Sequence, residues 1–352
     1  MNTLTGKSGK RLMLALLLTL IVAAQGLGAD KTLNLYIWSE YIPDEIIAAF
    51  TKETGIKVNV STYDSNEAMY AKVKLVGKGY DLIVPSSDHV GLMRREGLLL
   101  PIETAKIPNF TLIAPQFTNQ GFDPGNKYSV PYMWGSTAIA VNTAQIPAES
   151  AQTMADLWRP EFKGKLLLPN DVREVMGIGL KSLGYSINER NPEHLRQAFD
   201  KLQGLMPSVR VFDSDSPKQA LLSGEVSVGL IYNGEAYIAN GENKDIRYIF
   251  PKEGFSLWLD SFCIPKGAKH VEAAYRFLDY VLRPQISAAI SKEMGYSSPN
   301  TKAMEHLPEE MKNNPIVNPP AQEVARGEFL DSLDEQTLKM YEDYWVKLKT
   351  GK

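Results

Sequence analysis

Residues 166–180 read LLLPNDVREVMGIGL. Three leucines bounded by a turn signal predict a short buried strand. Pro169-Asn170 ends it, and Asp171 stands where a helix begins. Glu174, three positions on, falls on the same helix face. Two readings of this pair are open. In one, Asp171 and Glu174 form a capping box: Asp171 accepts from a first-turn N–H and Glu174 reaches back. In the other, the strand-to-helix edge aims two carboxylates into a crevice, since ligands of open α/β sheets bind just beyond the carboxyl ends of the strands. Two carboxylates there select a cation.

Outward from this stretch the chain alternates strands and helices. Residues 33–38 form a strand with Leu33, Leu35 and Ile37 on one face. Pro43 opens a helix that buries Ile46, Ile47 and Phe50 and stops at Gly55. A strand at 56–60, a helix at 66–76 closed by Gly77 or Gly79, a strand at 80–84 and a helix at 88–96 follow. This βαβ rhythm predicts a mainly parallel sheet flanked by helices. Residues 101–127, rich in Pro, Asn and Gly, read as a long surface connection, and 128–141 as an extended segment with a bend at Gly135. A second α/β series begins with a helix at 154–158 and the strand 165–168. Helices at 172–183, 192–206 and 217–222 alternate with strands at 209–212 and 226–232, and extended segments at 247–250 and 256–265 complete it. The tail is helical at 270–282, 285–294 and 334–349. Two α/β halves admit a clamshell with a shared ligand between them, or two separate beads.

The amino terminus reads as a secretory signal, residues 1–29. Lys7, Lys10 and Arg11 precede the apolar run 12–24 and a small-residue exit, with cleavage after Ala29 or at Gly26. The run is short for a bilayer span. Cys263 is the only cysteine, so no intramolecular disulfide forms and no cysteine at the exit carries a lipid. The expectation is a free periplasmic protein, not a lipoprotein, with Cys263 in a core. Loss of the three basic signal residues moves the formal charge from −3 to −6, which argues against nucleic acid and for a cationic partner.

No enzyme motif stands out. The four histidines are scattered, with no zinc spacing, and there is no GxSxG elbow, P-loop or dinucleotide fingerprint. The expectation is no catalysis, no metal and no cofactor. What recurs is aromatics beside carboxylates at strand ends: Trp38-Ser39-Glu40-Tyr41, then Trp258 and Asp260 projecting from one face, with Tyr232 and Tyr296 at element ends. Each alone is as well explained as core or rim. Together with Asp171 and Glu174 they describe an organic amine. Carboxylates hold ammonium groups by charge-assisted hydrogen bonds, and flat rings attract cations and cover methylenes.

The chain resembles the spermidine/putrescine-binding proteins of ABC importers, of the type II periplasmic binding-protein fold. The likeness spans the mature chain and is carried by WSEYIP, FTKETGIKV, STYDSNEAMYAK, YDLIVPS, YSVPYMWGSTAIAVN, ADLWRPEFKGKLLL, DVREV, YNGEA, PKEG, WLDS and GYSSPN. It implies a two-lobe α/β clamshell with the ligand in the interlobe cleft. Lobe 1 would comprise residues 30–136 and 262–305, and lobe 2 residues 137–261 and 306–352. By resemblance, Asp171, Glu174 and Asp260 bind amines, Trp258 stacks, and Trp38, Ser39, Glu40 and Tyr41 form a wall. Ser86, Ser214 and Tyr296 add contacts. Asp88, Tyr232 and Leu330 stand where the resembled family usually has tyrosine, tryptophan and glutamine. Tyr232 keeps a stacking surface, Asp88 adds an acid, and Leu330 removes an amide, so ligand length is open. The implied function is delivery of spermidine or putrescine to a membrane permease by a monomeric receptor. A polyamine-sensing accessory of a signalling receptor, or the same fold with another small cationic ligand, are the alternatives.

Overall fold

The structure, a computed structural model, describes residues 31–351; the expected signal segment 1–29 lies outside them. β1 (Thr32–Trp38) buries Leu33, Leu35 and Ile37 as its alternation requires. Pro43 caps the helix Asp44–Thr54, and Gly55 closes it at φ 71°, a left-handed conformation that glycine adopts without strain. β2 (Lys57–Tyr63) and β3 (Leu82–Ile83) flank β1, both parallel to it, in the order β2-β1-β3. Between them runs the helix Asn66–Val76, capped by the Ser65 side chain and ended by Gly77.

The second sheet is mixed. Its strands are β4 (Val130–Asn142), β5 (Leu166–Leu168), β6 (Val209–Phe212), β7 (Val228–Tyr232), β8 (Ile246–Ile249), β9 (Ser256–Phe262) and β10 (Glu328–Phe329). The order is β10-β9-β4-β7-β5-β6, with β8 also on β4. β5 pairs with β6 and β7 in parallel, and β9 with β10 likewise, whereas β4 is antiparallel to β7, β8 and β9.

β4 and β9 tie the two halves together. Val130, Tyr132, Met133, Leu259 and Phe262 pack in one core with β1–β3. Ala138, Ile139, Val141 and Leu257, from the same two strands, pack in a second core with the helices Val172–Ser182 and Pro192–Gln203. Just past β9, Cys263 exchanges backbone hydrogen bonds with Ile83 at 2.8 and 3.0 Å, which extends the first sheet. Cys263 is fully buried, as expected for a core thiol.

Three expectations change. β4 runs unbroken through Gly135. The glycine is there for close packing: a Cβ would lie 2.2 Å from Asn233 Oδ1 and 2.5 Å from Trp258 Cζ2. Residues 101–127 are not merely a surface connection, because Ile102, Ile107, Ile113, Phe117 and Phe122, in and between short 3-10 turns, are buried on the first core. The helix Asn233–Glu242 was not expected; Gly234 and Gly241 mask its periodicity. Gly234 is also needed by contact, since a Cβ there would meet the Tyr296 ring at 2.4 Å.

Candidate functional site

A cleft opens between the two cores. Trp38, Ser39, Tyr41 and Ser86 line it from the first half, and Asp171, Glu174, Ser214 and Tyr232 from the second. Trp258, Asp260 and Tyr296, also expected, line it too. Asn66 and Leu330 also line it. Among the described residues, no lysine, arginine or histidine does so.

Each carboxylate is placed by a local feature. Asp171 caps the helix Val172–Ser182: its Oδ1 accepts from Arg173 N at 2.8 Å and Glu174 N at 3.1 Å. That satisfies half of the capping box. Glu174 does not reach back. Thr137 Oγ1 donates to its Oε1 at 2.8 Å, and Ser256 Oγ lies 2.7 Å from both carboxylate oxygens. Both readings of DVREV are therefore partly realised, with Asp171 serving as cap and cleft wall at once. Asp260 extends from β9 toward the first half, where Ser86 Oγ donates to it at 2.6 Å and Tyr41 Oη at 2.8 Å. Asn66 Nδ2 in turn donates to Ser86 Oγ at 3.1 Å.

These acids are buried, and burial penalises their charged forms. It pushes Glu174 up to about 8, with the Asp171 charge adding to the effect and the Ser256 and Thr137 bonds opposing it. Asp260 is pushed up to about 7 by burial, against the bonds from Ser86 and Tyr41. Asp171 is raised as well, by burial first and by the Asp88 charge. An ammonium group entering the cleft would replace protons as the counter-charge.

Aromatic rings form the walls. Trp258 meets Tyr296 edge-on at 5.2 Å and Tyr232 at 6.3 Å, and Tyr41 meets Tyr296 at 5.4 Å. The Trp38 indole N–H donates to the Val84 carbonyl at 2.9 Å, which fixes that ring. Ser214 receives Asn170 N at 2.8 Å and lies 3.3 Å from the Tyr232 hydroxyl, so it steadies the far wall.

Two expected residues stand outside the cleft, each held by a cation from the other half. Glu40, exposed and at φ 47°, receives Lys218 Nζ at 2.9 Å. Asp88 is buried against Arg173 Nη1 at 3.2 Å and His89 Nδ1 at 3.1 Å. Burial opposes its ionisation, but the His89 and Arg173 charges win and hold it down to about 2. Arg173 also donates to the Asp331 carbonyl at 3.1 Å and to Asn188 Oδ1 at 3.0 Å. Asn66 was missed as a lining residue because its position reads as an ordinary helix start; a buried polar side chain in that first turn is the only signal. Leu330 is held by Ser87 Oγ, which donates to its carbonyl at 2.6 Å.

The chain matches known proteins over nearly its whole length. The sequence model of the family described as "Bacterial extracellular solute-binding protein" matches residues 45–319. The spermidine/putrescine-binding periplasmic protein of Escherichia coli (strain K12) is 42% identical over 347 residues, 98% of this chain and 99% of that protein. A Listeria monocytogenes structure described as a spermidine/putrescine ABC transporter superposes with a TM-score of 0.89 at 39% identity, covering 92% of this chain and all of that one. The spermidine/putrescine ABC transporter substrate-binding protein of Streptococcus pneumoniae gives a TM-score of 0.77 at 38% identity, covering 91% of this chain and 99% of that one. With a two-lobe α/β fold, an interlobe cleft and likeness of this extent, the chain belongs to the bacterial extracellular solute-binding proteins, in the group that includes the spermidine/putrescine-binding periplasmic proteins.

Proposed function

We propose that this chain is a periplasmic receptor that closes on a polyamine, spermidine or putrescine, and delivers it to the membrane permease of an ABC importer, without chemistry on the ligand. One observation carries the reading. Three buried carboxylates, Asp171, Glu174 and Asp260, face a cleft walled by aromatic rings, and no basic side chain lines that cleft among the described residues. A slim polycation supplies both missing elements, charge for the acids and methylenes for the rings. An anionic ligand would meet like charge, and a bare metal ion would leave Trp258 and Tyr296 unused.

The ligand contacts assigned are Trp38, Ser39, Tyr41, Asn66, Ser86, Asp171, Glu174, Ser214, Tyr232, Trp258, Asp260, Tyr296 and Leu330. Lobe 1 is residues 30–136 and 262–305, and lobe 2 is residues 137–261 and 306–352. The division of β4 between the two cores supports the first crossover, while in β9 the change of core falls between Leu257 and Leu259. The protein acts as a monomer, free of lipid. Among the described residues no helix is long and apolar enough to cross a membrane. Titration calorimetry with spermidine and putrescine tests the reading: a saturable heat with at least one is expected, and no heat with either up to millimolar concentration overturns it.

A further inference from the structure

Lys218 opens the short helix Lys218–Leu222 and is buried, which is unusual for a lysine unless it is paired. Its ammonium donates to Glu40 Oε2 at 2.9 Å, to Ser216 Oγ at 3.2 Å, and to Glu235 Oε1 and Oε2 at 3.1 and 3.0 Å. Two carboxylates and a hydroxyl converging on one primary ammonium make the kind of receptor that the end of a polyamine requires. It adjoins the cleft. Glu40 stands between the lining residues Ser39 and Tyr41, and Ser216 lies two residues beyond Ser214. The Glu235 charge is also felt at the cleft hydroxyl of Tyr296.

We propose that Lys218 is a specificity-determining residue: its side chain fills a terminal ammonium site built from Glu40, Ser216 and Glu235, and so shortens the cleft to take a diamine in preference to a triamine. The inference rests on the polyamine reading above. The acids left open fall in two groups, Asp171 with Glu174 at the start of one helix, and Asp260 on β9. That is one group for each end of a diamine. Asp88, another acid near the cleft, is neutralised in the same manner by Arg173 and His89.

The test is calorimetry with putrescine and spermidine on the wild-type chain, on Lys218→Met and on Lys218→Arg. The wild type is expected to bind putrescine more tightly. Lys218→Met opens the site to a third ammonium, and the spermidine-to-putrescine affinity ratio rises at least about tenfold, as one gained charge-assisted contact should give. Lys218→Arg keeps the wild-type ratio. Because Lys218→Met leaves Glu235 buried without its cation, the double variant Lys218→Met/Glu235→Gln is measured beside it, with Glu40 still free to receive the amine. A lysine that only latches the lobes would lower both affinities together, so an unchanged ratio in the folded variants overturns the proposal, as does a wild type that prefers spermidine. Binding of neither amine by the wild type instead overturns the polyamine reading itself.

Discussion

Asp88 and Asp260 are both buried aspartates within reach of the same cleft, yet they behave as opposites. Asp88 has Arg173 and His89 beside it and is held ionised, down to about 2. Asp260 has only the hydroxyls of Ser86 and Tyr41, and burial pushes it up to about 7. The first carries its own cation and serves the architecture. The second lacks one, so in the empty protein its burial favours the protonated form, and on the proposed function a ligand ammonium takes the proton's place. On the proposed function, then, an acid is marked as ligand-binding less by its type or burial than by the absence of an internal cation.

The largest expected effect separates the two on stability. Asp88→Ala leaves the Arg173 guanidinium buried and uncompensated, and should cost about 3–5 kcal/mol in denaturant unfolding. Asp260→Asn and Glu174→Gln should do the reverse and raise the melting temperature of the ligand-free protein at pH 8. A fall in all three would erase the distinction.

Affinity comes next. Asp260→Ala and Glu174→Ala should each weaken polyamine binding by about 1–3 kcal/mol, as lost charge-assisted hydrogen bonds do. Wild-type affinity in both moves the site elsewhere.

The pH dependence follows in sign. Glu174 and Asp260 bind protons more tightly in the folded empty protein, at about 8 and about 7, than their ordinary 4.5 and 3.8. Their contribution to stability is therefore present below the ordinary values and is lost as pH rises through 7 and 8. The ligand-free melting temperature should fall across that window, and the upward shift given by a polyamine should grow. Asp88 acts at the other extreme, because its contribution is lost only as pH falls toward about 2. A ligand-induced shift that is flat from pH 6 to 8 would contradict the assignment of uncompensated acids. The smallest effect expected is at Trp258. Trp258→Ala should lose about 0.5–2 kcal/mol of affinity and Trp258→Phe less, if the ring face rather than the indole N–H contacts the amine.

Much of the cleft was legible in the sequence because its determinants are local. Trp258 and Asp260 share a face by strand alternation, and Asp171 caps because a strand, a Pro-Asn break and a helix meet there. What could not be read is long-range. Glu40 looked like a ligand acid until Lys218, 178 residues away, was found on it. Asp88 did too, with Arg173 85 residues distant. Nothing in WSEYIP or SSDH announces either partner. Likewise the helix Asn233–Glu242 is set by tertiary packing over glycines that local propensity counts against it.

The strand β9 has one more consequence. Its Asp260 is bound to Ser86 and Tyr41 on one side of the molecule, while Glu174 is bound to Thr137 and Ser256 on the other. Any swing of the halves changes the spacing of those two anchors. On the proposed function, the span between a guest's nitrogens would be converted into an angle of the jaws, and a molecule of the wrong reach would be seen from outside as a posture, without any surface residue having touched it.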